Sequence, residues 1–250
     1  RKARQHRARR VPLRPEPHRA ELPLIHRPAF AGRFFIALLF LGLPFAAGSQ
    51  LLSGEEADDK TPLMSAARQG DAATVARLIS SGADVNASNA GGATALMFAA
   101  LSGDPMVTSL LVRAGALTDS KAKLGWTALA LAAVKGHTDV AEVLLDAGAD
   151  QGVRDAYGWT PLMRAVDRRR PAFVRLLLES PGADLGVRQE DGATALHIAA
   201  ASGDLEIVRL LVSHGADRSA EDRNGNTAAA IARSAGHADI AEYLEGADNS

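Results

Sequence analysis

Cysteine is absent from this sequence of 250 residues, and aromatic residues make up only 4% of it. The chain therefore cannot form disulfides, thiolate metal sites, a cysteine nucleophile or a lipoprotein anchor. With so few aromatic rings, any core must be built from Ala, Leu and Val, which contribute to a hydrophobic fraction of 47%. That fraction, together with 23% charged residues, excludes a disordered or collagen-like chain.

The net charge of −1 conceals two regions of opposite sign. Residues 1–48 contain 10 Lys and Arg against 2 Asp and Glu, whereas the remainder contains 18 against 27. The body of the protein is therefore acidic. A nucleic-acid partner is not expected, because an acidic body repels phosphates.

The first 48 residues combine a basic segment with an apolar region at 33–48, in which residues 34–48 are uncharged. The run is shorter than the ~20 residues that a membrane-spanning helix needs. Ala46 and Gly48 lie three and one residues before Ser49, as a signal-peptidase site requires. We interpret residues 1–48 as a basic N-terminal segment plus signal peptide, which predicts a periplasmic or secreted protein. An uncleaved inner-membrane anchor is the alternative.

No Met precedes Met64, and one hypothesis is that translation starts at a non-Met codon such as that of Val11 or Leu22. A bacterial source is inferred from the Ala-, Arg- and Gly-rich composition and from the proposed signal. Sequencing the N-terminus of the mature protein would test the start and the cleavage together.

Beyond residue 56 the sequence repeats with a period of 33 residues. A Gly follows nine residues after five of the six threonines that open the units, and sequences of the Gly-Ala-Asp type recur in phase. The opening threonines, at spacings of 33, 33, 33, 34 and 33 residues, are Thr61, Thr94, Thr127, Thr160, Thr194 and Thr227.

Each marker has a structural meaning. Thr suits a helix N-cap, and Pro suits the first helical position. The Gly ends a short, Ala-rich helix in the left-handed conformation. A second helix carries apolar residues at helical spacing, such as Val140, Val143 and Leu144, and an extended finger leads to the next Thr. Because one unit buries too little alone, stacked units must share a continuous core.

Two segments, GATALHIAAASGDLEIVRLLVSHGAD (192–217) and GWTALALAAVKGHTDVAEVLLDAGAD (125–150), strongly resemble the ankyrin repeat. The resemblance implies an all-α, ankyrin-repeat solenoid of six helix-turn-helix units with β-turn fingers. The predicted organisation has a linker at 49–55, a tail at 247–250, and repeats at approximately 56–88, 89–121, 122–154, 155–188, 189–221 and 222–246.

Unit four departs from the pattern, because Arg169 stands where the helix-ending Gly belongs. A left-handed conformation costs a non-Gly residue roughly 1–2 kcal/mol. We therefore expect either a left-handed Arg169 or a helix that runs on. A third alternative is that Pro171 starts the second helix early and relaxes the turn.

Every candidate for catalysis has a structural explanation. The resemblance implies that His197 braces neighbouring turns and that His137 and His237 fill ordinary repeat positions. No nucleophile-elbow, HExxH, P-loop or EF-hand motif occurs, so we predict no enzyme activity, no cofactor and no metal site. The aspartates of the Gly-Ala-Asp sequences are predicted to accept backbone N–H groups in turns; they are Asp84, Asp150, Asp184 and Asp217.

These observations favour a non-catalytic protein–protein interaction module, which binds a protein partner through the concave surface of its fingers and inner helices. A membrane-anchored scaffold is one alternative, and a stress-protection factor that supports another enzyme is a second. We expect a monomer, with no nucleic-acid partner and no membrane contact unless the apolar segment stays uncleaved.

The positions that the family most often uses for contacts, carried onto units three and four, predict the binding residues. Residues 121–175 hold 9 Lys and Arg against 6 Asp and Glu, which predicts a partner with an acidic surface and an apolar pocket. Alternatively, Trp126 and Trp159 only cover neighbouring fingers. The predicted binding residues are Lys123, Leu124, Trp126, Lys135, Tyr157, Trp159, Asp167 and Arg168.

Overall fold

The computed structural model describes residues 60–246, and this part of the chain contains twelve α-helices and no β-strand. The proposed signal peptide, the linker and the tail lie outside the described residues. Within them, no helix is long and apolar enough to cross a membrane. The helices are α1 Pro62–Gln69, α2 Ala72–Ser80, α3 Ala95–Ser102, α4 Pro105–Arg113, α5 Ala128–Lys135, α6 Thr138–Asp146, α7 Pro161–Asp167, α8 Pro171–Glu179, α9 Ala195–Ser202, α10 Leu205–Ser213, α11 Ala228–Ala235 and α12 Ala238–Glu245.

The odd-numbered helices, which we call the inner helices, are short and rich in Ala. In α3, α5 and α9, six consecutive residues are buried, at positions 95–100, 128–133 and 195–200. Each inner helix packs against the inner helix of the next unit. Ala suits these positions because its small side chain lets helices approach on more than one side.

The even-numbered helices, which we call the outer helices, bury a single stripe of mostly apolar side chains. In α10 the stripe consists of Ile207, Val208 and Leu211, and the same spacing recurs in α4, α6 and α12. This spacing places the three side chains on one face of a helix. Each outer helix packs on its own inner helix and on the outer helix of the next unit, so the core is continuous along the array.

The repeat markers perform the local roles that the sequence predicts. Five inner helices end at a left-handed Gly, with φ between 69° and 88°. The opening Thr of each unit lies in extended conformation, and its hydroxyl oxygen accepts a helical N–H at Thr61, Thr127, Thr160 and Thr227. The predicted fold class is therefore confirmed.

Arg169 adopts the left-handed conformation, with φ 52°. The N–H groups of Arg169 and Arg170 donate to the carbonyls of Val166 and Ala165, both at 3.0 Å. The turn thus keeps the geometry that Gly provides in the other units, and α8 begins at Pro171. Of the alternatives that the sequence leaves open, the left-handed residue is the correct one.

Replacing Arg169 with Gly is expected to stabilise the protein. The substitution removes a backbone cost of roughly 1–2 kcal/mol, partly offset by about 0.5–1 kcal/mol from the greater freedom of Gly in the unfolded chain. We expect urea denaturation to show a net gain of about 1 kcal/mol. Arg168→Gly is the matched control, because Arg168 has φ −86° and gains nothing from Gly. An equal response of both variants would contradict this explanation.

His197 is 1% exposed and links unit five to unit six. Its Nδ1 accepts the backbone N–H of Thr194 at 3.1 Å, and its Nε2 lies 3.1 Å from the carbonyl oxygen of Asn226. The neutral ring with its proton on Nε2 satisfies both contacts, since Nδ1 must keep its lone pair. The prediction that His197 braces neighbouring turns is confirmed.

The stability of the array is expected to fall as the pH drops below about 6.5. Burial lowers the pKa of His197, so the unfolded chain binds a proton at a higher pH than the folded chain does. The contribution is complete above the unfolded pKa and is lost on acidification, with a limiting slope of ~1.4 kcal/mol per pH unit. Urea denaturation of the parent and of His197→Gln, between about pH 7.5 and 5.5, measures this loss of stability, because that range spans the titration of a His side chain. A parent no more pH-sensitive than the variant would contradict it.

Candidate protein-binding surface

Five extended segments connect the units, and we number them as fingers. They are finger 1 (84–93), finger 2 (117–126), finger 3 (150–159), finger 4 (184–193) and finger 5 (217–226). Each is closed by the same backbone hydrogen bond, such as the one from the N–H of Asp155 to the carbonyl of Trp159 at 3.0 Å in finger 3. Equivalent residues of different fingers can therefore be compared directly.

The aspartates of the Gly-Ala-Asp sequences begin these fingers as the sequence predicts. Asp84, Asp150, Asp184 and Asp217 each accept, through Oδ1, the N–H group two residues further on, at 2.7–2.9 Å. Their carboxylates are thus engaged in turns. Among the described residues, no group of three or more His, Asp or Glu side chains is placed to hold a metal ion.

Leu124 and Tyr157 occupy the equivalent tip positions of fingers 2 and 3, three residues before the opening Thr. These residues are 37% and 49% exposed, respectively. The backbone of the two tips is joined, because the N–H of Ala156 donates to the carbonyl of Leu124 at 2.8 Å. Two large apolar side chains therefore project from adjacent, hydrogen-bonded turns.

The backbone of Leu124 is itself unusual, with φ 60° and ψ 17°. Leu124 and Gly125, which has φ 77°, form a tight left-handed turn, and a Cβ on Gly125 would lie only 3.0 Å from the Cα of Asp155. Fingers 2 and 3 are thus in close backbone contact. A left-handed Leu at an exposed tip is a strained residue of the kind that clusters at functional sites.

Trp126 and Trp159 lie beneath these tips, on either side of Arg164. The guanidinium carbon of Arg164 is 4.6 Å from the ring centre of Trp126 and 4.5 Å from that of Trp159. Trp126 is 4% exposed, so it does not belong to the exposed surface for which the sequence proposed it. Trp159 is half-buried. The stack explains both positions, since each ring covers a buried cation.

Asp155 neutralises the buried guanidinium. Its Oδ2 accepts hydrogen bonds from Nε of Arg164 at 3.0 Å and from a terminal nitrogen of the same group. Its Oδ1 accepts the N–H groups of Tyr157 and Trp159 at 2.9 and 3.0 Å. One carboxylate thus shapes the tip of finger 3 and binds the cation below it. Arg164 and Asp155 are both buried.

The other predicted binding residues lie in two places. Lys123 is exposed beside Leu124, and its backbone N–H donates to the carbonyl oxygen of Gly91 in finger 1 at 2.8 Å. Lys135, Asp167 and Arg168 are half-buried at the opposite ends of α5 and α7, about 12 Å away along an eight-residue helix. The structure therefore joins the finger residues into one cluster and separates these three from it.

Asp167 and Arg168 form an ion pair, with Arg168 Nε 3.2 Å from a carboxylate oxygen. Burial raises the pKa of Asp167, and the cations of Arg168 and Arg164 oppose that rise. The Asp167 carboxylate therefore interacts with basic residues of its own unit. The exposed positive charge at this end of unit four comes from Arg169 and Arg170.

An exposed basic residue lies in each of fingers 2, 3 and 4, six residues before the next opening Thr; these are Lys121, Arg154 and Arg188. The ammonium of Lys121 lies 3.4 Å from the carbonyl oxygen of Arg154, and the guanidinium of Arg154 donates to the carbonyl of Arg188. Arg188 in turn donates to the carbonyl of Glu221 in finger 5. The side chains align in a basic row beside the apolar tips.

His137 and His237 pack on the preceding unit. The ring of His137 lies against Gly103 so closely that a Cβ there would come within 2.6 Å of it, and His237 covers Gly203 in the same way. These rings fill the space above a helix-ending Gly.

Arg164 and its partner Asp155 are functional residues that the sequence did not predict. The available signal was the fourth residue after each opening Thr. At that position Arg164 is the only charged residue, where the other units have Ser65, Phe98, Leu131, Ile198 and Ile231. A charge at a position that is otherwise mostly apolar predicts a buried partner.

Comparison with known proteins agrees with this architecture. The family model "Ankyrin repeats (3 copies)" matches residues 34–122, 98–189 and 173–250. The crystal structure of EF0377, an ankyrin repeat protein, is similar to this chain, with a TM-score of 0.68 and 28% identity, covering 73% of this chain and 95% of that one. A search of curated proteins found no match. Ankyrin repeats generally mediate protein–protein interactions and are typically non-catalytic. This chain belongs to the ankyrin repeat family.

Proposed function

We propose that this protein is a non-catalytic interaction module that binds an acidic protein partner through the tips of fingers 2 and 3. The observation that carries the proposal is the pair Leu124 and Tyr157, which are exposed at equivalent positions of two hydrogen-bonded tips. Tyr is among the side chains that most often anchor protein interfaces, because it combines a large apolar area with a polar end. Leu124 extends this anchor across the neighbouring finger.

Charge supports an acidic partner. Lys121, Lys123 and Arg154 are exposed around the two apolar tips, whereas the chain beyond residue 48 is acidic as a whole. A local basic surface on an acidic body attracts an acidic patch in one orientation and repels other approaches. We expect association to be faster at low salt, since screening weakens this attraction.

The partner meets this module in the periplasm or outside the cell. This part of the proposal depends on the sequence of residues 1–48, where a basic segment precedes an apolar run and a small-residue cleavage site. A membrane-anchored scaffold would use the same finger tips and would differ only in keeping residues 33–48. A cell-fractionation experiment with N-terminal sequencing distinguishes the two.

Capture of the partner by the full-length chain from its native cells tests the binding proposal. We expect Tyr157→Ser to lose most of the captured protein. Met106→Ser is the matched control, because Met106 is 62% exposed but lies in the first turn of an outer helix, and this variant should capture as the parent does. Equal capture by the parent and Tyr157→Ser would place the binding site elsewhere.

A further inference from the structure

Binding at the finger tips does not by itself explain why a buried charged residue, Arg164, occupies its position in unit four. In four of the other five units an apolar side chain occupies its position. Replacing a buried ion pair with apolar residues is often neutral or stabilising, so we expect the pair of Arg164 and Asp155 to add little stability over an apolar pair. Its use must be sought in the geometry that it imposes.

The groups around Arg164 come from two different fingers. Trp126 belongs to finger 2, and Asp155 and Trp159 belong to finger 3. Trp126 follows Leu124 by two residues, and Trp159 follows Tyr157 by two residues. The planar guanidinium therefore contacts each finger directly beneath its exposed apolar side chain.

Unit one uses the same pair of repeat positions with the two partners exchanged. Lys60, directly before its opening Thr, places its ammonium 5.7 Å from the ring centre of Phe98, and Phe98 occupies in unit two the position that Arg164 occupies in unit four. Among the described residues, the ammonium in that pair contacts one ring and is paired with no buried carboxylate. Among the described residues at this repeat position, only Arg164 is a cation that lies between two aromatic rings.

We infer that Arg164 is a positioning residue, which holds fingers 2 and 3 as one rigid unit and so sets the spacing of Leu124 and Tyr157. The inference rests on the proposed function for its effect on binding, but the coupling of the fingers does not. The planar cation stacks on both rings and uses its edge for Asp155, a combination that an ammonium cannot reproduce.

The double variant Arg164→Leu, Asp155→Asn tests this inference without leaving a buried charge. Leu occurs at the equivalent position as Leu131, and Asn89 makes the same turn in finger 1, with its Oδ1 accepting the N–H groups of Gly91 and Ala93. We expect unfolding by urea to be unchanged, whereas amide exchange at 123–126 and 156–159 accelerates at least about tenfold. Exchange in finger 5 serves as the internal control.

Tryptophan fluorescence supplies an independent signature, because Trp126 and Trp159 are the only tryptophans in the chain. We expect the double variant to shift the emission of the folded protein. The single variant Arg164→Lys keeps the charge but should not retain the parental emission. Affinity for the captured partner should fall at least about tenfold, although Leu124 and Tyr157 are intact. Unchanged exchange in a folded double variant overturns the inference, whether or not the tips bind a partner. Faster exchange with parental affinity overturns the positioning role.

Discussion

Arg164→Leu alone is expected to destabilise the protein by about 3–5 kcal/mol. The substitution leaves the carboxylate of Asp155 buried in finger 3 without the cation that neutralises it. It also removes the cation on which Trp126 and Trp159 stack. Urea denaturation, followed by far-ultraviolet circular dichroism, measures the loss.

The cause is tested by adding Asp155→Asn to the same protein, which should return the stability to that of the parent because the buried charge is gone. Asp222→Asn is the matched control, since Asp222 makes the same turn in finger 5 with the N–H groups of Asn224 and Asn226 and binds no buried Arg within residues 60–246. Its effect should be much smaller. A single Arg164→Leu variant within about 1 kcal/mol of the parent would contradict the assignment of a costly unpaired charge.

The second large effect is expected on binding, in the double variant Leu124→Gly, Tyr157→Ala. Removing both apolar tips should weaken partner binding by at least about 2 kcal/mol, close to 30-fold. Isothermal titration with the captured partner measures this loss. The substitutions lie on exposed turns, so the helices beneath them should keep their packing.

Leu124→Gly alone separates folding from binding. It removes a left-handed Leu, which we expect to stabilise the chain by about 1 kcal/mol, while it deletes an apolar contact with the partner. A gain in stability with a loss in affinity identifies Leu124 as a strained binding residue. Unchanged affinity in both the single and the double variant would remove the finger tips from the interface.

The fold was predictable because its signals are local and repeated six times. Thr at an N-cap and Gly at a helix end act within one turn of helix, so Thr61 and Gly70 have the same meaning in the sequence as in the structure. His197 was predictable for a related reason, because its position in the repeat determines which neighbouring turn it meets.

The candidate site was predictable only in part. The tip positions Leu124 and Tyr157 follow from the repeat, but their exposure depends on which side chain of each finger turns inward. That choice is made by Arg164, 38 residues after Trp126, and by Asp155 in the finger between them. Such contacts between units depend on the stacking geometry, which no marker within a single unit encodes.

Site-specific photo-crosslinking in native cells tests whether the tips of fingers 2 and 3 contact the partner. A photoreactive amino acid at position 157 or 124 should form a covalent adduct with the same partner protein, and the yield should fall as the salt concentration of the medium rises. The same probe in place of Met106, which is more exposed than either tip residue, should form none. Adducts at position 106 and none at 124 or 157 would contradict the proposal that the tips of fingers 2 and 3 bind the partner.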